Sequence, residues 1–251
     1  MDLFKSGNPT LSEKMFDKSI GLQNTDVMTV KGTLNKFGLM TVLLIAAASF
    51  TWKAFNENVN VGPWIIGSAI VGLILAMIII FKMQWASFLA PLYALAEGVF
   101  VGGISAFYSA AFAKTAPGIV MQAVGLTFGV VIAMFLLYKF QVIRATEKFK
   151  SIIFIATAGI AVFYLLSWVL GMFGVQMPLI HQSTTMGIVF SLIVVAVAAL
   201  NLILDFDMIE QGVNHGAPKY MEWYGAFGLM VTIIWLYLEI LRLLAKLSDR
   251  K

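Results

Sequence analysis

Apolar residues dominate this chain in seven long runs, separated by short polar stretches. The runs cover approximately residues 37–53, 63–81, 85–107, 117–138, 152–173, 186–204 and 224–244. A helix needs about 20 predominantly apolar residues to cross the roughly 30 Å hydrocarbon core of a bilayer, and a lipid-exposed segment must satisfy its backbone polar groups internally. The pattern therefore predicts an all-α polytopic membrane protein with seven transmembrane helices over residues 37–246. A tail of residues 1–36 precedes them and a short tail of 247–251 follows. No intervening loop is long enough for a soluble domain. The N-terminal segment has no apolar run followed by a small-residue cleavage site, so it is expected to be retained. Within it Thr10 and Glu13 have capping-box spacing, and Leu11, Met15, Phe16 and Ile20 predict a short amphipathic surface helix.

Composition supports lipid as the solvent. Of the 251 residues 60% are hydrophobic and 12% charged, half the share of roughly 25% usual in soluble domains. The absence of cysteine excludes disulfides and thiolate-ligated metals. The net charge of +4 does not point to nucleic acid, because Lys and Arg collect in cytoplasmic loops for topological reasons. Five precede the first run (Lys5, Lys14, Lys18, Lys31, Lys36) and four lie between the fourth and fifth (Lys139, Arg144, Lys148, Lys150). Both segments are thus expected in the cytoplasm, and the other face is poor in cations, with none in GVQMPLIHQSTT. Arg242, Lys246, Arg250 and Lys251 disagree, since an odd number of spans sends the C-terminus outside.

Few ionisable residues interrupt the runs, and such residues normally face a bundle interior or a wet cavity. Glu97 lies in PLYALAEGVFVGG near mid-bilayer. Gly98 and Gly102, like Gly125 and Gly129, have the small-xxx-small spacing of close helix packing. Pro91 is expected to bend the third span and free a carbonyl near Glu97. The sixth run ends in NLILDFDMIEQ. Asn201 and Asp205, four apart, share a helix face, and Asp207 and Glu210, three apart, share another. Either Asp205 faces the interior near the inner edge of the hydrocarbon, or the helix stops at Leu204 and the acids are solvated. In WLYLEILRLL, Glu239 and Arg242 are spaced for a structural ion pair. His181 and His215 fall on opposite faces, and no nucleophile elbow or phosphate loop occurs, so an enzyme is not expected. Ser191 has no partner at its depth for an intramembrane protease.

AEGVFVGGISAF, LILDFDMIEQG and WLYLEILRLL, in that order, together with MTVKGTLNK before the first run, resemble the Bax inhibitor (transmembrane Bax inhibitor motif) family in its bacterial branch. The resemblance implies a seven-helix bundle with the last helix central and a pH-sensitive calcium leak in the cytoplasmic membrane. It also implies a gate in which an aspartate ending span six pairs with an acid in span seven. Asp207, following an aromatic residue, matches that aspartate, while burial favours Asp205. The span-seven position falls on Thr232 if Arg242 is anchored to the family's terminal motif, and on Glu239 if LYLE is anchored. The expected ion pathway is therefore Glu97, Asn201, Asp205 and Asp207, and the expected pH gate Asp205, Asp207, Thr232 and Glu239. Calcium is the expected permeant ion, held by Asp205 and Asp207 with no other cofactor. The contrasting expectation is a non-conducting protein that binds a membrane protease or other membrane-protein partners.

Overall fold

A computed structural model of the protein describes residues 27–174, 177 and 182–249. The expected amphipathic segment of the tail lies outside the described residues. Among the described residues seven helices are long and apolar enough to cross a membrane. They are α1 (Val30–Asn56), α2 (Gly62–Phe81), α3 (Ala86–Ala111, preceded by a 3-10 turn at Met83–Trp85), α4 (Ile119–Lys139), α5 (Glu147–Met172), α6 (Thr185–Asn214) and α7 (Met221–Ser248). The seven predicted spans are present, but several helices outrun their apolar windows. α1 begins seven residues before Phe37, within the segment assigned to the tail, and α6 continues ten residues past Leu204.

Capping accounts for several of these starts, because hydropathy marks only the lipid-bathed part of a helix. Thr29, Thr146 and Thr184 stand in extended conformation before α1, α5 and α6, and their hydroxyls accept from the amides of Gly32, Phe149 and Gly187. Each satisfies a first-turn donor that lacks an intrahelical partner.

α7 is the most buried helix and packs against α1, α3, α4 and α6, so the last helix is the centre of the bundle. α1 and α3 are closely apposed. A Cβ at Gly98 or Gly102 would strike the α1 backbone at Leu44 or Ala48, so these glycines set that approach. Gly125 and Gly129 do not work this way: a Cβ at either would meet open space, because that face of α4 has no helix against it. The effect expected of Pro91 is also displaced. α3 runs unbroken through it, and the carbonyl that proline deprives of a donor belongs to Ser87, ten residues or roughly 15 Å from Glu97.

At the end where α1 begins and α6 finishes, Met28 N–H donates to Ala217 O at 2.8 Å and Val27 bridges Pro218. The entry to the first helix is thereby fastened to the turn before the last.

Candidate functional site

A cavity of about 550 Å³ lies between α2, α3, α6 and α7, and Glu97, Asp205 and Thr232 all line it. Their depths agree. Glu97 is eleven residues into α3, Thr232 eleven into α7, and Asp205 nine from the end of the oppositely directed α6, which places each roughly 14–17 Å from one end of the bundle at 1.5 Å per residue. Because α6 continues to Asn214, the alternative of a helix finishing at Leu204 does not hold. Asp205 belongs to the interior of the helix, nine residues before its end.

Glycines make the room. A Cβ on Gly72 of α2 would stand 2.6 Å from Glu97 Oε1, and one on Gly228 of α7 would stand 3.8 Å from Asp205 Oδ1. Tyr93, one turn before Glu97, also lines the cavity, and Thr232 lines it with Asp205. Asp205 Oδ2 is buried and, among the described residues, is the one buried side-chain polar atom without a partner. Such an atom is costly unless a proton, water or ion serves it.

The other expected site residues do not join this group. Asp207, about 200° around α6 from Asp205, accepts from Lys150 Nζ at 2.9 Å and Gln211 Nε2 at 2.6 Å. It faces α5, not α7. An unbroken helix directs two residues of this spacing to different sides, so the Asp205/Asp207 calcium pair does not assemble. Asn201 also turns to α5, donating to Thr157 Oγ1 and Val197 O at 2.8 Å each. Glu210 accepts from the Tyr138 hydroxyl. Glu239 lies seven residues beyond Thr232, roughly 10 Å farther along α7. There Arg242 Nη1 donates to its two oxygens at 2.9 and 3.0 Å, and the Tyr164 hydroxyl donates at 3.0 Å. Thr232, not Glu239, is therefore the span-seven residue that stands with Asp205. His215 is exposed at the end of α6, and His181 lies outside the described residues. Among the described residues no three His, Cys, Asp or Glu gather as a metal site. Two carboxylates and two hydroxyls line the cavity, short of the 6–8 oxygens a resident calcium takes.

Lys150, Thr157 and Tyr164 recur every seven residues on α5, and each meets a polar partner on α6 or α7. Among the described residues α5 packs chiefly on α6, touches α7 through Tyr164, and is the least buried helix. Its attachment is a polar seam.

In the sequence alone Glu222 is not singled out, and Lys246 counts as a tail charge. Glu222, in the first turn of α7, is fully buried. It accepts from Thr29 N at 2.9 Å and Thr29 Oγ1 at 2.8 Å, and pairs with Lys36 and, at 3.2 Å, with Lys219. Its carboxylate occupies the space where a Gly32 side chain would begin. An acid in a first helical turn ordinarily signals only the helix dipole. The one cue was the glycine three residues after the capping threonine. At the opposite end, buried Lys246 donates to Gly187 O at 3.0 Å and Ser191 Oγ at 2.9 Å. Arg242 and Lys246 thus belong to the bundle, so two of the four cations that opposed an outer C-terminus are not loop charges.

None of the curated proteins compared matches this chain. The family model described as Bax inhibitor 1 like matches residues 8–249, a stretch that contains all seven helices and every wall of the acid-lined cavity. With that match spanning nearly the whole sequence, the chain belongs to the Bax inhibitor 1-like family of integral membrane proteins.

Proposed function

We propose that this protein is a pH-sensitive, calcium-permeable leak pathway of the inner (cytoplasmic) membrane of a bacterial cell, and a transporter of ions instead of an enzyme. The observation that carries the proposal is the convergence of Glu97 and Asp205, from two helices, on one cavity against the central helix. Hard cations are bound by oxygen, and the two carboxylates with the Tyr93 and Thr232 hydroxyls supply it. An intramembrane carboxylate is retained for function far more often than for packing. The gate acts through Asp205 and Glu97, with Thr232 occupying the place of a second aspartate on the last helix. Asp207 holds α5 and takes no direct part. The loop charges support a cytoplasmic N-terminus, so the end of α6 faces the cell interior.

The test is calcium entry into liposomes carrying the purified protein, measured with an enclosed indicator across a range of pH. Entry above that of protein-free vesicles, lowered in Glu97→Gln and Asp205→Asn, is the expected result. Wild-type protein that leaks no faster than empty vesicles overturns the proposal. The second reading, a non-conducting partner of other membrane proteins, is favoured by the broad apolar surface of α5, where Phe154, Leu165 and Trp168 are exposed. It predicts that null result together with co-purification of a membrane partner that α5 substitutions abolish.

A further inference from the structure

On another face of α7 from the acid cavity, a second recess of about 270 Å³ lies between α1 and α4. These two helices are not packed against one another, so the recess opens sideways, past Ile45 and Phe128, which are both about half exposed. Its floor is the central helix at Met230, Ile234 and Tyr237.

The lining has little polar valence to offer beyond the hydroxyl of Ser49, an exposed residue, and the Trp52 indole N–H. Thr41 and Thr127 donate to carbonyls of their own helices at 2.9 and 2.7 Å, and Ser105 and Tyr237 are hydrogen-bonded to each other at 2.6 Å. Water does not settle in such a space, since it needs two to four polar partners. An empty recess of this size forfeits dispersion contacts along every wall. From Phe37 to Trp52 the recess follows α1 for fifteen residues, roughly 22 Å. One leaflet contributes about half of the roughly 30 Å hydrocarbon core, so a whole acyl chain fits along it.

We propose that the recess between α1 and α4 is an intramembrane binding site for one acyl chain of a bilayer lipid, seated against the central helix. The lipid enters sideways and leaves its headgroup outside the recess. The site stands independently of ion conduction.

Bromine-labelled acyl chains quench tryptophan on contact, and Trp52 lines the site. A protein retaining Trp52 alone, with the remaining tryptophans replaced by phenylalanine, is placed in liposomes containing brominated phosphatidylcholine. A sibling retaining only Trp168, which is 65% exposed on α5, reports the surrounding bulk lipid. The expected result is that the partly shielded Trp52 is quenched at least as strongly as Trp168. Filling the recess with Val124→Phe should then remove about half of the Trp52 quenching, because a close-packed interior has no room for both ring and chain. Trp168 should be unaffected by it. Ala48→Leu fills the opposite wall and serves where Val124→Phe does not assemble. Trp52 quenched much less than Trp168, or unchanged by either filling variant in folded protein, overturns the site.

Discussion

Replacing Glu222 by glutamine preserves the side chain's size and removes its charge, which isolates what the buried carboxylate contributes. Two bonds from Thr29, at 2.9 and 2.8 Å, change from charge-assisted to neutral, a difference of about 1 kcal/mol each. Lys36, with 19% of its side chain exposed, loses its ion-pair partner. Removing one member of a buried pair costs about 3–5 kcal/mol, and its residual access to water brings that toward the lower end. Lys219, at 48% exposure, turns to solvent at little cost. A glutamine amide recovers part of the lost hydrogen bonding, so the net destabilisation is about 3 kcal/mol, roughly a hundredfold in the folding equilibrium. Reversible denaturation in mixed micelles, followed by circular dichroism, measures it. Lys36→Gln combined with Glu222→Gln should be less harmful than the two single effects added, since neither charge is then stranded. A Glu222→Gln protein within about 0.5 kcal/mol of wild type, the range of ordinary surface substitutions, would refute the view that this carboxylate fastens α1 to α7.

Asp205→Asn is expected to flatten the dependence of calcium flux on inner pH, while Asp207→Asn leaves it intact and loosens α5 instead; equal effects in the flux assay would contradict the separation of the two acids. Gly72→Ala puts a methyl against Glu97 and should change flux with little loss of stability, read by flux and denaturation side by side. Glu239→Gln strips Arg242 of its partner and should destabilise the fold by about 3 kcal/mol, the lower end of the range for a broken buried pair because Arg242 keeps 32% exposure, with the pH profile of flux retained. Cysteines introduced at Ser6 and Thr146 should resist labelling by an impermeant reagent from outside intact cells, and labelling of both would reverse the orientation.

The seven spans were legible from apolar length and a close helix approach at Gly98 and Gly102 from glycine spacing, whereas its partner α1 was not, and the central last helix was implied by the family resemblance alone. Glu97 was legible for a similar reason, since a carboxylate so far from either end of an apolar run must be accommodated inside. Asp205 was half legible. The Asn201–Asp205 spacing placed both on one face, yet the structure separates them, with Asn201 on Thr157 and Asp205 in the cavity. A face of a helix touching several neighbours is wide enough to serve two of them. The choice between Thr232 and Glu239 needed the relative heights of α6 and α7, which no single-helix pattern contains. The partners of Glu222 and Lys246 were missed because they lie far off in sequence, at Thr29 and Lys36 and at Gly187 and Ser191.

The seam along α5 has a consequence for which substitutions the helix tolerates. Interhelical hydrogen bonds in membranes average only about 0.6 kcal/mol, so three such links at Lys150, Thr157 and Tyr164 bind α5 weakly but reject other alignments. Slipping by one residue turns all three side chains about 100° away from their partners together. α5 works like a key with three teeth. Most of its other positions, facing lipid, can be exchanged among apolar residues without loss of fit. Divergence between members of this family should therefore concentrate on that helix and stop at those three positions.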